Sequence, residues 1–126
     1  MSVDGGPVGV LVLHGFTGNP QSMRPLADAL SAAGLGVEMP LLAGHGTTVA
    51  DMVDTTWVDW SADAEAAYQR ILARSEKVVV AGLSMGGSLT CWLATRHPEI
   101  AGIICVNPAT QVAADVRLFV ESLISD

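Results

Sequence analysis

A serine flanked by two glycines is the feature of this sequence that could carry out covalent chemistry. Residues 78–81 are apolar, and Gly82, Ser84 and Gly86 follow before a stretch with helical spacing begins. This pattern predicts a strand that turns sharply into a helix, with Ser84 at the apex on a strained backbone. Small residues are needed at 82 and 86 because a Cβ there would collide as the strand and the helix close on each other. Ser84 is therefore a candidate nucleophile.

A second loop with two glycines could complete such a site. Residues 14–18 read HGFTG and directly follow the apolar run of residues 8–13. Because ligands sit beyond the carboxyl ends of parallel strands, this loop and Ser84 should lie close together. A serine that attacks an acyl carbon needs hydrogen-bond donors for the oxygen that becomes negative. The candidate donors are the backbone N–H of Met85, in the first turn of a helix, and that of Phe16.

The elements that must position these two loops alternate between strands and helices. Strands are predicted over residues 8–13, 35–39, 77–81 and 100–106. A first helix is predicted to begin near Asn19 and to end at Gly34. Further helices are predicted over residues 57–75, 85–96 and 112–124. Residues 40 to about 56 are predicted to form a loop. The order βαβαβαβ predicts an α/β fold, with a three-layer parallel sheet and right-handed crossovers.

Length and charge restrict the classes of function. The chain has 126 residues, of which 50% are hydrophobic and 15% charged, and this suits one α/β domain. Its formal net charge of −7 repels phosphate groups, so neither nucleic acid nor an anionic membrane surface is an expected partner. No apolar run approaches the roughly 18 residues that a membrane span needs, so no span is expected.

The amino terminus and the cysteines bear on the compartment. Residues 1–6 contain no secretory signal pattern, and a soluble, reduced, cytoplasmic protein is expected. Cys91 and Cys105 form no C-x-x-C motif and are expected to be free, buried side chains rather than a disulfide or metal ligands. No cofactor or metal is expected, because one helix start explains the nearby acidic residues Asp51, Asp54, Asp59 and Asp63.

Three motifs together resemble the α/β-hydrolase fold family: HGFTG at residues 14–18, GHG at 44–46 and GLSMGG at 82–87. Within that family the chain is similar to the carboxylesterase and monoacylglycerol lipase branch, over about residues 8–107. The resemblance implies that Ser84 is the nucleophile of an acyl-enzyme mechanism on carboxylic esters. It further implies that the N–H groups of Phe16 and Met85 form the oxyanion hole, and that the segment from Asn107 onward begins a cap.

The base and the acid of the family's triad are not found where they are expected. The family order is serine, then acid, then histidine. His97 is the only histidine after Ser84, and it ends the helix that begins beside Ser84, which places it roughly 15 Å or more away. His97 is expected to be a surface histidine at a helix end, and His14 and His45 are expected to be structural.

The chain is therefore predicted to be the amino-terminal part of one α/β-hydrolase domain. On this interpretation residues 1–126 form a partial fold, residues 107–126 begin the cap, and the chain alone is inactive because a serine without a base is a poor nucleophile.

Three functional hypotheses remain open from the sequence. The first is a serine hydrolase that cleaves small, neutral carboxylic esters. The second keeps the fold and the nucleophile but carries out thioesterase, acyltransferase or other chemistry. The third is a non-catalytic binding module that lacks the triad acid and histidine.

Overall fold

Five strands form one mixed sheet in the computed structural model, which describes residues 1–109, 118 and 121–123. The strands are β1 Ser2–Val3, β2 Val8–Leu13, β3 Gly36–Glu38, β4 Lys77–Leu83 and β5 Gly102–Val106. They lie in the order β1-β3-β2-β4-β5. β1 is antiparallel to β3, and every other neighbouring pair is parallel. The predicted α/β class is confirmed.

The strand β1 corrects the prediction of an all-parallel, four-stranded sheet. Ser2 pairs with Glu38, and Val3 pairs with Val37. A strand of two residues shows no alternation that could be recognised in the sequence. Its position depends on a partner more than thirty residues away, so only the three-dimensional structure reveals it.

Four helices connect the strands: α1 Pro20–Ala32, α2 Val49–Val53, α3 Trp57–Leu72 and α4 Met85–Arg96. The side chain of Asn19 caps α1 by accepting a hydrogen bond from the N–H of Ser22. α2 corrects the prediction of a loop over this segment. A capping box between Thr48 and Asp51 stabilises it, although its five residues are too few to show a helical period. No helix in the described part of the chain is long and apolar enough to cross a bilayer.

Helices cover both faces of the sheet, which gives the predicted three layers. Successive residues of β2 point to opposite faces, and its continuous apolar run is therefore buried on both sides. The face covered by α3 and α4 contains Leu11, Leu13, Leu42, Ala64, Ala67, Tyr68, Ile71, Val78, Val80, Met85, Leu89 and Leu93. The face covered by α1 contains Val10, Val12, Met23, Ala27, Val37, Met39 and Ala81.

The strand β5 is the exposed edge of the described sheet. Ile103, Ile104 and Val106 are each about half exposed. The predicted cap and the predicted last helix over residues 112–124 fall largely outside the described residues. Of that region, the structure describes helical backbone at Leu118 and at residues 121–123.

Candidate active site

Ser84 lies at the turn between β4 and α4 in a left-handed backbone conformation, with φ 55° and ψ −117°. Its N–H donates to the carbonyl oxygen of Val106 at 2.9 Å, and its own carbonyl oxygen accepts from the N–H groups of Gly87 and Ser88. Such a conformation costs a non-glycine residue about 1–3 kcal/mol and persists only where the surroundings enforce it. Here β5 and the first turn of α4 supply that constraint.

Two glycines allow the elements around Ser84 to approach closely. A Cβ at Gly82 would overlap the carbonyl group of Gly86, and a Cβ at Gly86 would overlap the carbonyl oxygen of Leu13. The first contact joins β4 to α4, as the sequence pattern predicts. The second joins α4 to the end of β2, an approach that the pattern does not reveal. It brings Ser84 next to the loop that follows β2.

The loop of residues 14–18 is a tight turn beside Ser84. The N–H of Gly18 donates to the carbonyl oxygen of Gly15 at 3.0 Å, and Thr17 within the turn has a positive φ of 62°. A Cβ at Gly15 would lie 3.3 Å from the Cβ of Ser84 and 3.9 Å from its Oγ. The structure therefore brings together the two loops that carry the predicted site.

The N–H groups of Phe16 and Met85 are the predicted oxyanion-hole donors. Neither N–H donates a hydrogen bond to another residue that the structure describes. Met85 is the first residue of α4, where the helix dipole favours negative charge. Within the described part of the chain, nothing therefore competes for these two N–H groups, and their role as oxyanion donors stays a prediction.

His14 is fully buried, and both of its ring nitrogens are occupied. Nδ1 lies 2.9 Å from the carbonyl oxygen of Gly15, and Nε2 accepts from the N–H of Leu42 at 3.1 Å. Because a carbonyl only accepts and an N–H only donates, the ring is neutral with its proton on Nδ1. Burial lowers the pKa of His14. The side chain supports two loops, and neither ring nitrogen can take the proton of Ser84.

His45 is held in the same way, with backbone partners on both nitrogens. Nδ1 lies 2.9 Å from the carbonyl oxygen of Ala43, and Nε2 accepts from the N–H of Thr17 at 3.1 Å. This ring is also neutral, with its proton on Nδ1. The glycines on either side of His45 signal an unusual loop, whereas its partner Thr17 lies 28 residues earlier and cannot be inferred from the sequence.

His97 lies at the other end of α4, about 20 Å along the helix from Ser84. Its Nε2 is 2.8 Å from an oxygen of Glu65, its Nδ1 is 3.3 Å from an oxygen of Glu99, and its ring packs against Tyr68. The side chain is only 16% exposed. The predicted place at the end of the helix is confirmed, but the ring is only partly exposed because α3 places Glu65 and Tyr68 over it. In the described part of the chain, no histidine nitrogen lies within hydrogen-bond distance of Ser84 Oγ.

The two cysteines meet where α4 packs against β5. Cys91 and Cys105 are free and half-buried, and their sulfur atoms are 3.7 Å apart. Burial and the neighbouring thiol raise the pKa of Cys105. The prediction of free thiols is confirmed, although both are less buried than expected. Among the described residues, no group of three His, Cys, Asp or Glu side chains is placed to hold a metal ion.

Comparisons with known proteins identify the family. A family model described as serine aminopeptidase, S33, matches residues 8–125. A thermostable monoacylglycerol lipase of Bacillus sp. (strain H-257) is 51% identical over 111 residues, which cover 88% of this chain and 44% of the lipase. A carboxylesterase of Bacillus subtilis (strain 168) is 35% identical over 101 residues, which cover 79% of this chain and 41% of the esterase.

A solved structure agrees with these relatives. It comes from work on LipS and LipT, two metagenome-derived lipolytic enzymes, and superimposes with a TM-score of 0.88 at 46% sequence identity. The match covers 93% of this chain and 49% of the solved one. The chain thus spans less than half the length of the curated relatives that it matches. From its sequence and its fold, the chain belongs to the serine aminopeptidase S33 family of α/β-hydrolases.

Proposed function

We propose that this chain carries the nucleophile half of a serine carboxylic ester hydrolase, of the carboxylesterase or monoacylglycerol lipase type. One observation carries the proposal: Ser84 is held at φ 55° directly beside the loop of residues 14–18. Strain of this kind persists where function requires it. The 51% identity to a monoacylglycerol lipase supports ester chemistry in particular.

In the proposed reaction, Ser84 Oγ attacks the carbonyl carbon of the ester and loses its proton to a general base. The carbonyl oxygen becomes negative and accepts hydrogen bonds from the N–H groups of Phe16 and Met85. As the intermediate collapses, the bond to the alcohol breaks, and the base returns the proton to the departing alcohol. Water then cleaves the acyl-enzyme by the same steps and releases the acid.

The general base is proposed to come from outside the described residues. His14 and His45 use both ring nitrogens for backbone groups, and His97 lies at the far end of α4. The lipase and the esterase that resemble this chain are more than twice as long as the matched region. We therefore propose that a further segment supplies the histidine and the acid.

A small, neutral acyl ester is the proposed substrate. A clamp for a charged substrate would need a free cation beside Ser84. Among the described residues, Lys77 begins β4 at the end away from Ser84, and each arginine is in an ion pair with a carboxylate: Arg24, Arg70, Arg74 and Arg96. Phe16, next to Ser84, is half exposed and offers an apolar contact to an acyl chain. The cytoplasmic location expected from the amino terminus stays a prediction.

The test is ester hydrolysis by the full-length protein that contains this chain. With p-nitrophenyl butyrate as substrate, Ser84→Ala should lower kcat by at least about a thousandfold, as loss of a serine nucleophile does in other hydrolases. The matched control is Ser31→Ala in the last turns of α1, which should leave kcat unchanged. Equal rates in the wild-type protein and Ser84→Ala would refute the nucleophile assignment.

A peptidase is a second candidate, favoured by the description of the matching family as serine aminopeptidase. Measuring kcat/KM for an ester, a thioester and a p-nitroanilide with matched acyl groups would separate the reactions. A preference for the anilide would favour the peptidase, and a preference for the thioester would favour a thioesterase.

A binding module is favoured by one observation, the lack of a histidine partner for Ser84 among the described residues. It would be supported if the full-length protein turned over none of the three substrates and Ser84 did not react with a fluorophosphonate.

A further inference from the structure

We propose that His45 is a positioning residue. It holds the loop of residues 14–18 so that the Phe16 N–H stays directed at the oxyanion beside Ser84. This inference rests on the proposed function, because it assigns His45 a task in the same reaction. His45 does not touch the reacting atoms and acts through the loop backbone.

The first step of the argument concerns the conformation of Thr17. This β-branched residue has a φ of 62°, a region that costs a residue with a Cβ roughly 1–2 kcal/mol. Its N–H donates to His45 Nε2 at 3.1 Å, the only side-chain hydrogen bond to the loop backbone that comes from another element among the described residues. The bond fixes the plane of the Phe16–Thr17 peptide, which is adjacent to the peptide that carries the Phe16 N–H.

The second step concerns what holds His45 itself. Its Nδ1–H donates to the carbonyl oxygen of Ala43, which also accepts from Trp60 Nε1 at 3.0 Å. The N–H of Ala43 donates to the carboxylate of Asp63 at 2.7 Å. Trp60 and Asp63 both belong to α3, so a long helix anchors Ala43, whose carbonyl oxygen His45 binds. Through His45 and Ala43, the loop is thereby held in a fixed position relative to α3 and the core of the fold.

Ring packing adds a second link between His45 and Phe16. The ring centroid of His45 lies 5.9 Å from that of Phe16 and 5.0 Å from that of His14. Trp60 lies 5.6 Å from Phe16 and 5.9 Å from His45, both as ring-centroid distances. Such tilted and edge contacts are favourable for aromatic pairs. Phe16 is thus restrained through its backbone and its side chain by the same histidine.

The experiment compares variants of His45 in the full-length protein. His45→Leu removes both hydrogen bonds, whereas the carbonyl oxygen of His45→Gln can replace the Nε2 acceptor. With p-nitrophenyl butyrate, His45→Leu should lower kcat about 10–100-fold with little change in KM, because an oxyanion donor acts in the transition state. Amide hydrogen exchange at residues 16–18 should become faster. His45→Gln should restore most of both properties.

Two controls separate positioning from folding. His45→Asn is polar like glutamine but one carbon shorter, so its carbonyl oxygen falls short of the Thr17 N–H and kcat should stay low. His97→Leu removes a largely buried histidine at the opposite edge of the sheet. It should lower the melting temperature but leave kcat and exchange at residues 16–18 unchanged.

Three results would overturn the proposal: faster exchange in His45→Leu with an unchanged kcat, unchanged exchange in that variant, or equal kcat values in His45→Gln and His45→Asn. A wild-type protein without esterase activity would contradict the proposed function instead. In that case, exchange at residues 16–18 still decides whether His45 holds the loop.

Discussion

The two ends of the parallel strands, called here the carboxyl edge and the opposite edge of the sheet, surround histidine with different partners. At the carboxyl edge, His14 and His45 each donate one hydrogen bond to a carbonyl oxygen and accept one from a backbone N–H. At the other edge, His97 lies between the carboxylates of Glu65 and Glu99. Backbone partners require a neutral ring in one tautomer, whereas carboxylates only accept and are both satisfied when the ring carries its second proton.

The histidines at the carboxyl edge are therefore expected to bear on function, and His97 on stability. The neutral histidines connect loops to each other and determine where backbone N–H groups lie. His97 connects α3 to the end of α4 through its hydrogen bond with Glu65 and through its contact with Tyr68, far from Ser84. Changes at the carboxyl edge should therefore affect activity, and changes at the opposite edge should affect only the free energy of unfolding.

The largest effect is expected at Gly86. In Gly86→Ala the new Cβ would overlap the carbonyl oxygen of Leu13, and backbone cannot move as easily as a side chain. The cost should reach about 3 kcal/mol or more, with loss of activity. Gly34→Ala is the matched control, since its φ of 88° is strained but no atom lies within 4 Å of the added Cβ. Urea denaturation compares the two variants. A Gly86→Ala variant as stable as Gly34→Ala would contradict the close approach of α4 to β2.

A smaller effect is expected for His97→Leu. The variant loses the charge-assisted hydrogen bond to Glu65, which we expect to lower the free energy of unfolding by about 1–2 kcal/mol. Its kcat below the melting temperature should equal that of the wild-type protein. A reduced kcat in the fully folded variant would contradict the separation of function and stability between the two edges.

Trp60→Phe should cost less. The substitution keeps an aromatic ring beside Phe16 and His45 but removes the hydrogen bond from Nε1 to the Ala43 carbonyl oxygen. About 1 kcal/mol of stability should be lost, with a modest fall in kcat. Trp57→Phe, at an exposed position of the same helix, is the matched control. Identical melting curves for the two variants would show that the Trp60 bond contributes nothing.

The smallest effect is a pH dependence at the edge that holds His97. Burial opposes ionisation of Glu65, but hydrogen bonds from His97 and Gln69 and the nearby charge of Arg96 outweigh it, so the pKa of Glu65 lies below its ordinary value of 4.5. The resulting stabilisation is complete above pH 4.5 and is lost as the pH falls through the lowered pKa.

Urea denaturation at about pH 6 and about pH 3 measures this dependence. Glu65→Gln should lose less stability on acidification than the wild-type protein does, and Glu76→Gln, at an exposed position, should behave like the wild-type protein. Identical acid sensitivity in all three proteins would exclude Glu65 as the cause.

Local sequence patterns predict the elements that position the site. The apolar run of β2 and the small residues around Ser84 are signals within a dozen residues, and the structure has a strand and a sharp turn at these places. The parallel order of the four strands β2 to β5 follows from the alternation of strands and helices. Where an element is as short as β1 or α2, the sequence carries too few residues for a period to be recognised.

Contacts between distant segments could not be predicted. The bond from Thr17 to His45 spans 28 residues, and the contact of His97 with Glu65 spans 32. Nothing in the local sequence distinguishes a histidine that faces a backbone N–H from one that faces a carboxylate. The roles of the three histidines therefore depend on tertiary packing, which places each ring among its partners.

The backbone of Ser84 also matters for engineering this protein. Glycine adopts a positive φ without the penalty that a Cβ brings, so a glycine at position 84 would relieve part of the strain at this turn. A selection for thermal stability alone, in a library or in evolution, would therefore favour a chain that melts at a higher temperature and lacks the proposed nucleophile. Screens for more stable variants of this fold need an activity readout from the first round.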